Sequence, residues 1–285
     1  MCVGALALLA ACNRASQPAI APAAATAQDK LIASIVTTRS DYAATLPVGQ
    51  AIVIDNPYGD VHVRFGGFEH KVDAHAVLQE PRGAAHIALK PDVADDYTIA
   101  PRLPAATTVR EGQRIDLSVF VPEGHALRVR TEHGLIDVRG VHGDVDLKST
   151  AGDITLRGIK GVIHGETGEG TIEASLGTAP RNASQRLATT TGDIQVGVDD
   201  RLDAELDMAT SALFATDYSL QVLRRPGEEP NKRARAVIGS DASKFVLESR
   251  RGQIRLMRRA GFTSVGGESS TAPAGQEDEE DNDSD

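Results

Sequence analysis

Glycine recurs every nine residues between Thr131 and Ser175, at Gly134, Gly143, Gly152, Gly161 and Gly170. Two residues after each comes a β-branched apolar side chain, in order Ile136, Val145, Ile154, Ile163 and Ile172. Two further on stand Val138, Leu147, Leu156, Gly165 and Ala174. Period-two alternation places every second residue on one face, so each unit reads as a short strand with one buried side. The glycine marks a place where the backbone turns with positive φ or packs too tightly for a Cβ. A strand this short cannot bury its apolar side alone, so the units must stack on one another.

Neighbouring units are not equivalent. Arg139-Gly140-Val141 recurs as Arg157-Gly158-Ile159 eighteen residues later, so the full repeat is eighteen residues holding two strands. Stacking then aligns Ile136, Ile154 and Ile172 in one internal ladder and Val145 with Ile163 in another. The expected architecture is all-β, a β-solenoid (parallel β-helix or β-roll-like) with coils of about 18 residues and two short strands each. A three-sided left-handed helix of hexapeptides would share the eighteen-residue coil, but the period is nine and not six, which favours two sides.

The chain begins with a short apolar run ending in Leu9-Ala10-Ala11-Cys12. It is too short to span a bilayer, which takes about 20 residues, and small residues before a cysteine suit a signal-peptidase site. This lipobox resembles that of bacterial lipoproteins, in which Cys12 would be lipidated and become the mature N-terminus. No Lys or Arg precedes the run, a departure that a truncated start would explain; an ordinary secretory signal is the alternative. Cys2 and Cys12 are the only cysteines, so cleavage before Cys12 leaves a chain without disulfides, held by core packing. Asn13 stands where aspartate would signal inner-membrane retention, which favours outer-membrane anchoring.

Four segments are therefore expected: a signal peptide with lipobox over 1–11, the lipidated Cys12 and an Ala/Pro tether over 12–30, a β-solenoid domain over 31–262 with its regular core at 131–176, and a disordered acidic tail over 263–285. Strands are expected at Ala51–Asp55, Val61–Phe65, Lys71–Leu78, Ala85–Lys90, Arg114–Val121 and Ala126–Arg130. Asn56-Pro57-Tyr58-Gly59 is a turn leading into Asp60-Val61-His62-Val63, a first copy of the glycine unit and the expected start of the solenoid. Asp92–Gly112, with two prolines, reads as a surface excursion, and Arg224–Arg235 as an exposed loop. The spacing loosens by four residues after Leu176, recovers at Thr190–Val196, and returns late at Arg251–Leu256.

In that order and spacing, the strand ending Phe120-Val121-Pro122, the run Leu127–Gly134, the Gly-Asp-Ile units at Gly152 and Gly192 and the closing Glu248–Leu256 resemble a bacterial family described as "putative adhesins" with β-strand repeats. The resemblance covers most of Ala51–Met257. It implies a cell-envelope β-solenoid, often membrane-anchored and sometimes encoded near envelope-stress regulators, with no catalytic residues to carry over.

Several chemistries fit poorly. Calcium-binding β-rolls need glycine pairs and an aspartate two residues past the last glycine, where this chain has Ile136, Val145, Ile154, Ile163 and Ile172. The aspartates Asp60, Asp144, Asp153 and Asp193 directly follow glycine, where such side chains cap turns. His133 and His142 are nine apart while stacking works at eighteen, which sets His133 over Ala151 and His142 over Lys160, so no metal site is expected. Tryptophan is absent, aromatics are 4% and net charge is −10, which disfavours nucleic acid. Arg224–Arg259 nevertheless holds eleven basic against four acidic residues, while the last nine residues carry seven acids, read as a solvated tail.

The outward face of the regular coils is the candidate binding face: Asp137, Thr155 and Glu173 as one exposed row, with Arg139, Arg157 and Ser175 beside it. The expectation is a non-catalytic binding, adhesion or structural module of the cell envelope, needing no cofactor and anchored to the membrane by its lipid. Its partners would be envelope glycan, peptidoglycan or envelope proteins, with self-association at exposed strand edges. A regulatory component of an envelope-stress response is the alternative, and a β-helix enzyme acting on polysaccharide a minor one.

Overall fold

The computed structural model describes residues 35–240 and 242–259. The expected signal segment, Cys12, the expected tether and the acidic tail lie outside them. Four strands open the described chain: β1 (Ile35–Thr45), β2 (Ile52–Asn56), β3 (Val61–Phe65) and β4 (Lys71–Pro81). Short β5 (Asp92–Val93) and β6 (Tyr97–Ile99) lead to β7 (Arg114–Val121). The evenly spaced middle is β8 (Leu127–Thr131), β9 (Ile136–Arg139), β10 (Val145–Ser149), β11 (Ile154–Arg157), β12 (Ile163–Thr167) and β13 (Ile172–Leu176). After it come β14 (Ser184–Thr189), β15 (Ile194–Val198), β16 (Ala204–Thr210) and β17 (Phe214–Thr216). The last four are β18 (Gln221–Arg224), β19 (Lys232–Ile238), β20 (Lys244–Ser249) and β21 (Ile254–Arg258). No α-helix occurs among the described residues.

These strands form two large, mostly parallel sheets, ordered β1-β4-β7-β3-β9-β11-β13-β15-β21-β17 and β18-β19-β16-β20-β14-β12-β10-β8-β2-β6-β5. Through the middle the chain alternates between them, and the register steps by eighteen: Ile154 lies between Ile136 and Ile172 in the first sheet, and Val145 faces Ile163 in the second. All five of these side chains are buried, as the alternation requires. The four-residue loosening appears as Ile172 opposite Ile194.

The nine-residue glycines are explained by contact rather than by dihedral angle. A Cβ on Gly152 would overlap the carbonyl oxygen of Gly134 in the preceding repeat, and one on Gly192 that of Gly170. Apart from Gly170, at 146°, positive φ falls instead on Gly140 and Gly158, at 70° and 65°, in the turns that lead from the first sheet back to the second. Each aspartate after a glycine ties one repeat to the next. The carboxylate of Asp153 accepts the N–H of Thr171 at 2.7 Å, and Asp60, Asp144 and Asp193 serve Leu135, Val162 and Gln253 alike.

A second ladder is buried. Asn56, Thr131, Ser149, Thr167, Thr189, Ser249 and Thr210 sit side by side at the ends of successive strands of the second sheet. Hydroxyls of Thr131, Thr167, Thr189, Ser249 and Thr210 donate to the carbonyls of Gly134, Gly152, Gly170, Gly192 and Gly252. A buried hydroxyl is costly only when unpaired, so the ladder keeps the crowded glycine corner dry without an energetic penalty.

Both ends depart from expectation. The stack does not start at Asn56–Gly59: β2 and β3 lie inside it, with β6 and β7 beyond them. β1 and β4 then cap the first sheet in antiparallel fashion. Ala85–Lys90 is no strand; Glu80 holds it as a loop by accepting the N–H of Ile87 at 2.7 Å, and only Ala88 bridges to Arg102. The excursion Asp92–Gly112 contributes buried Tyr97 and Ile99, which pair with β2. Arg224–Arg235 is not simply a loop, since its ends belong to the antiparallel pair β18–β19, which extends the second sheet from β16.

Candidate binding face

Parallel pairing of β9, β11 and β13 sets Asp137, Thr155 and Glu173 in one row and Arg139, Arg157 and Ser175 in the next. The expected rows are therefore real, with strands about 4.8 Å apart. Their expected exposure is corrected: Asp137 is buried, at 4% accessible, and Thr155 and Glu173 are only partly exposed. For Asp137 the reason is β3, which pairs with β9 from 75 residues earlier in the chain and brings His62 opposite Asp137 and Arg64 opposite Arg139.

Arg64 covers the carboxylate. Its Nη2 donates to Asp137 Oδ2 at 2.6 Å and its Nη1 to the Asp137 carbonyl at 2.9 Å. Arg139 reaches the same carboxylate from the other side, Nε to Oδ1 at 3.0 Å, and His62 Nδ1 lies 3.7 Å from Oδ2. Burial pushes the Asp137 pKa up, but the neighbouring His62 and the hydrogen bonds from Arg139 and Arg64 outweigh it and hold the carboxyl well below the usual carboxylate range. One repeat further on, Arg157 Nη2 donates to Glu173 Oε1 at 3.2 Å.

The result is a column of three guanidiniums, Arg64, Arg139 and Arg157, on adjacent strands, with side chains 31%, 47% and 35% accessible. Two carboxylates, Asp137 and Glu173, hold them in place, and each side chain stays partly open to solvent. A shallow depression of about 350 Å³ lies alongside, floored by Thr155 and walled by Arg139, Arg157, Asp153 and Glu173. Guanidiniums repeated on adjacent strands suit oxyanions or hydroxyl-rich chains, which they meet with N–H donors.

Arg64 and His62 were missing from the sequence-derived set. The signal was present: counted from its glycine, Arg64 occupies the position after Gly59 that Arg139 and Arg157 occupy after Gly134 and Gly152. His133 does lie beside Ala151, whose N–H is bonded to the Glu132 carbonyl. Among the described residues no group of three or more His, Cys, Asp or Glu is arranged to hold a metal ion.

No protein-family model matches this chain, and no curated protein matches it. Among solved structures it is similar to a "putative cell adhesion protein" from Clostridium sporogenes, at 9% identity and a TM-score of 0.43, covering 78% of this chain and 100% of that one. It is also similar to a "putative adhesin" from Bacteroides fragilis, at 13% identity and a TM-score of 0.32, covering 78% of this chain and 97% of that one. A third, from Parabacteroides distasonis, has 9% identity, a TM-score of 0.30 and coverages of 76% and 97%. Strand register defines the architecture, and the class it establishes is an all-β protein of two mostly parallel sheets.

Proposed function

We propose that this chain is a membrane-anchored β-solenoid of a bacterial cell envelope, acting as a non-catalytic binding or adhesion module. The column of Arg64, Arg139 and Arg157 carries this reading, because three charged forks repeat at strand spacing on one sheet face. That spacing suits a partner that itself repeats, a glycan or peptidoglycan strand bearing carboxylates and hydroxyls. Recognition of this kind is polar and weakens as salt rises. The eighteen-residue register and the alternation between two sheets support the solenoid. The lipobox at Cys12 supports the anchor, and Asn13 an outer-membrane destination. Similarity to proteins described as adhesins agrees with the role.

The test is Arg139→Ser combined with Arg157→Ser in the full chain, compared with the parent for binding to isolated peptidoglycan and to envelope glycan. Arg64 still neutralises Asp137 in that variant, so the fold survives and its melting temperature stays close to the parent's. Binding should fall about tenfold or more, as expected when charge-assisted hydrogen bonds are removed. Unchanged binding at retained stability would make this face mere solvated surface. Separately, Cys12→Ser should abolish palmitate labelling and membrane sedimentation; a parent that takes up no label refutes the anchor.

A further inference from the structure

The longest free edge among the described residues is β1, which spans eleven residues and pairs with β4 alone. The other sheet edges are β17, β18 and β5, of three, four and two residues. β1 lies beyond β4 and is held by the Tyr42 hydroxyl, which donates to the Leu89 carbonyl at 3.0 Å. Its outer backbone groups have no strand partner, and Val36 beside them is 49% accessible. Such an edge is a template for another strand.

The sequence of β1 says which strand. Two copies related by a twofold axis pair antiparallel, and the register that overlaps all eleven residues places Ile35 opposite the partner copy's position 45 and centres the axis on Ser40. In that register, and without adjustment, Arg39 faces the position of Asp41 in the second copy and Asp41 faces the position of Arg39. Val36 falls opposite position 44, an alanine, and Thr38 opposite position 42, a tyrosine. Arg39 is exposed and has no ion-pair partner among the described residues. Asp41 is bonded by one carboxylate oxygen to His75 at 2.6 Å, which leaves the other for the incoming guanidinium. Opposite charges directly across a strand pair stabilise it, and like charges destabilise it.

We propose that β1 is a homodimerisation edge: two copies of this chain join antiparallel through residues 35–45, making one continuous sheet with two reciprocal Arg39–Asp41 pairs about Ser40. The interface is isologous, so it closes at two copies and does not propagate.

The full chain in its host cells tests this through single cysteines treated with a short bis-maleimide, the parent with its own cysteines giving the background. Ser40→Cys should cross-link to itself, because the axis places it opposite its own copy. Thr37→Cys, more exposed than Ser40, should stay at background, since its copy would lie about 20 Å along the strand. No excess for Ser40→Cys, or equal yields at both positions, overturns the proposal. Adding Arg39→Asp to Ser40→Cys should cut the cross-linked fraction about tenfold by facing two carboxylates. Adding Asp41→Arg to that variant should restore most of it, although the His75 contact is lost. A yield indifferent to Arg39→Asp, or a swap that restores nothing, would equally overturn the charge register.

Discussion

The evenly stepped repeats from Thr131 to Leu176 and the strands at the two ends of the stack share one buried alternation but are joined by different means. In the middle, glycine meets the carbonyl of the previous glycine, an aspartate crosses to the next backbone N–H, and buried hydroxyls line the corner. At the ends, antiparallel pairs are bridged by side chains such as Asp41–His75 and Arg235–Glu205. Backbone-to-backbone crowding fixes a residue type; exposed side-chain pairing tolerates many. The middle is therefore intolerant of substitution along three lines of residues, whereas the ends are free to vary and to acquire edges such as β1.

Core charge gives the largest contrast. Ile154 is fully buried between Ile136 and Ile172, so Ile154→Asp should cost more than about 4 kcal/mol and leave the chain unfolded at 37 °C by circular dichroism. Val36→Asp, on half-exposed β1, should cost less than about 1 kcal/mol, and Thr155→Asp, facing outward beside Ile154 but flanked by Asp137 and Glu173, about 1–2 kcal/mol. Equal damage from Ile154→Asp and Thr155→Asp would contradict the strand phase.

Close approach comes next. Gly152→Ala forces two repeats apart at the Gly134 carbonyl and should cost about 1–3 kcal/mol in chemical denaturation. Gly177→Ala, in the loosened stretch, meets nothing within 4 Å and should be neutral or slightly stabilising. A neutral Gly152→Ala would show that the repeats can slide, and the contrast between middle and ends would fail.

The smallest effect is a pH dependence localised to Asp137. Its folded pKa is depressed below the unfolded value, so its contribution is fully present above about pH 4 and is lost as pH falls through the folded pKa. Asp137→Asn should lower stability at pH 7 by about 1–2 kcal/mol, because Arg64 and Arg139 keep some solvent when unpaired, and should flatten the acid limb of the stability curve. An unchanged acid limb would mean that other carboxylates dominate it.

The repeats were legible because their chemistry is local: a glycine, a following aspartate and two alternating apolar residues fix a strand wherever they occur. Even the phase of Asp137, Thr155 and Glu173 followed from counting. What stayed hidden depends on distant pairing. Nothing near Asp137 announces Arg64, which arrives from β3 and turns an expected exposed acid into a buried one. Ala85–Lys90 alternates like a strand, yet no neighbouring strand offers it a ladder, and Glu80 takes its amide instead. β1, with exposed residues on both faces for half its length, carries too weak an alternation to be read as a strand.

Stacking order and chain order part company after β15. The chain passes to β16 and β17, turns through β18 and β19, and only then lays β20 between β14 and β16, and β21 between β15 and β17. The last pair of strands is thus a keystone: until it arrives, the apolar edges of β14 and β15 have no neighbour on that side. A chain folding from its N-terminal end cannot finish by simple zippering from its first repeat, and a protease that clips ahead of Lys244 before closure would remove the piece that joins the two halves.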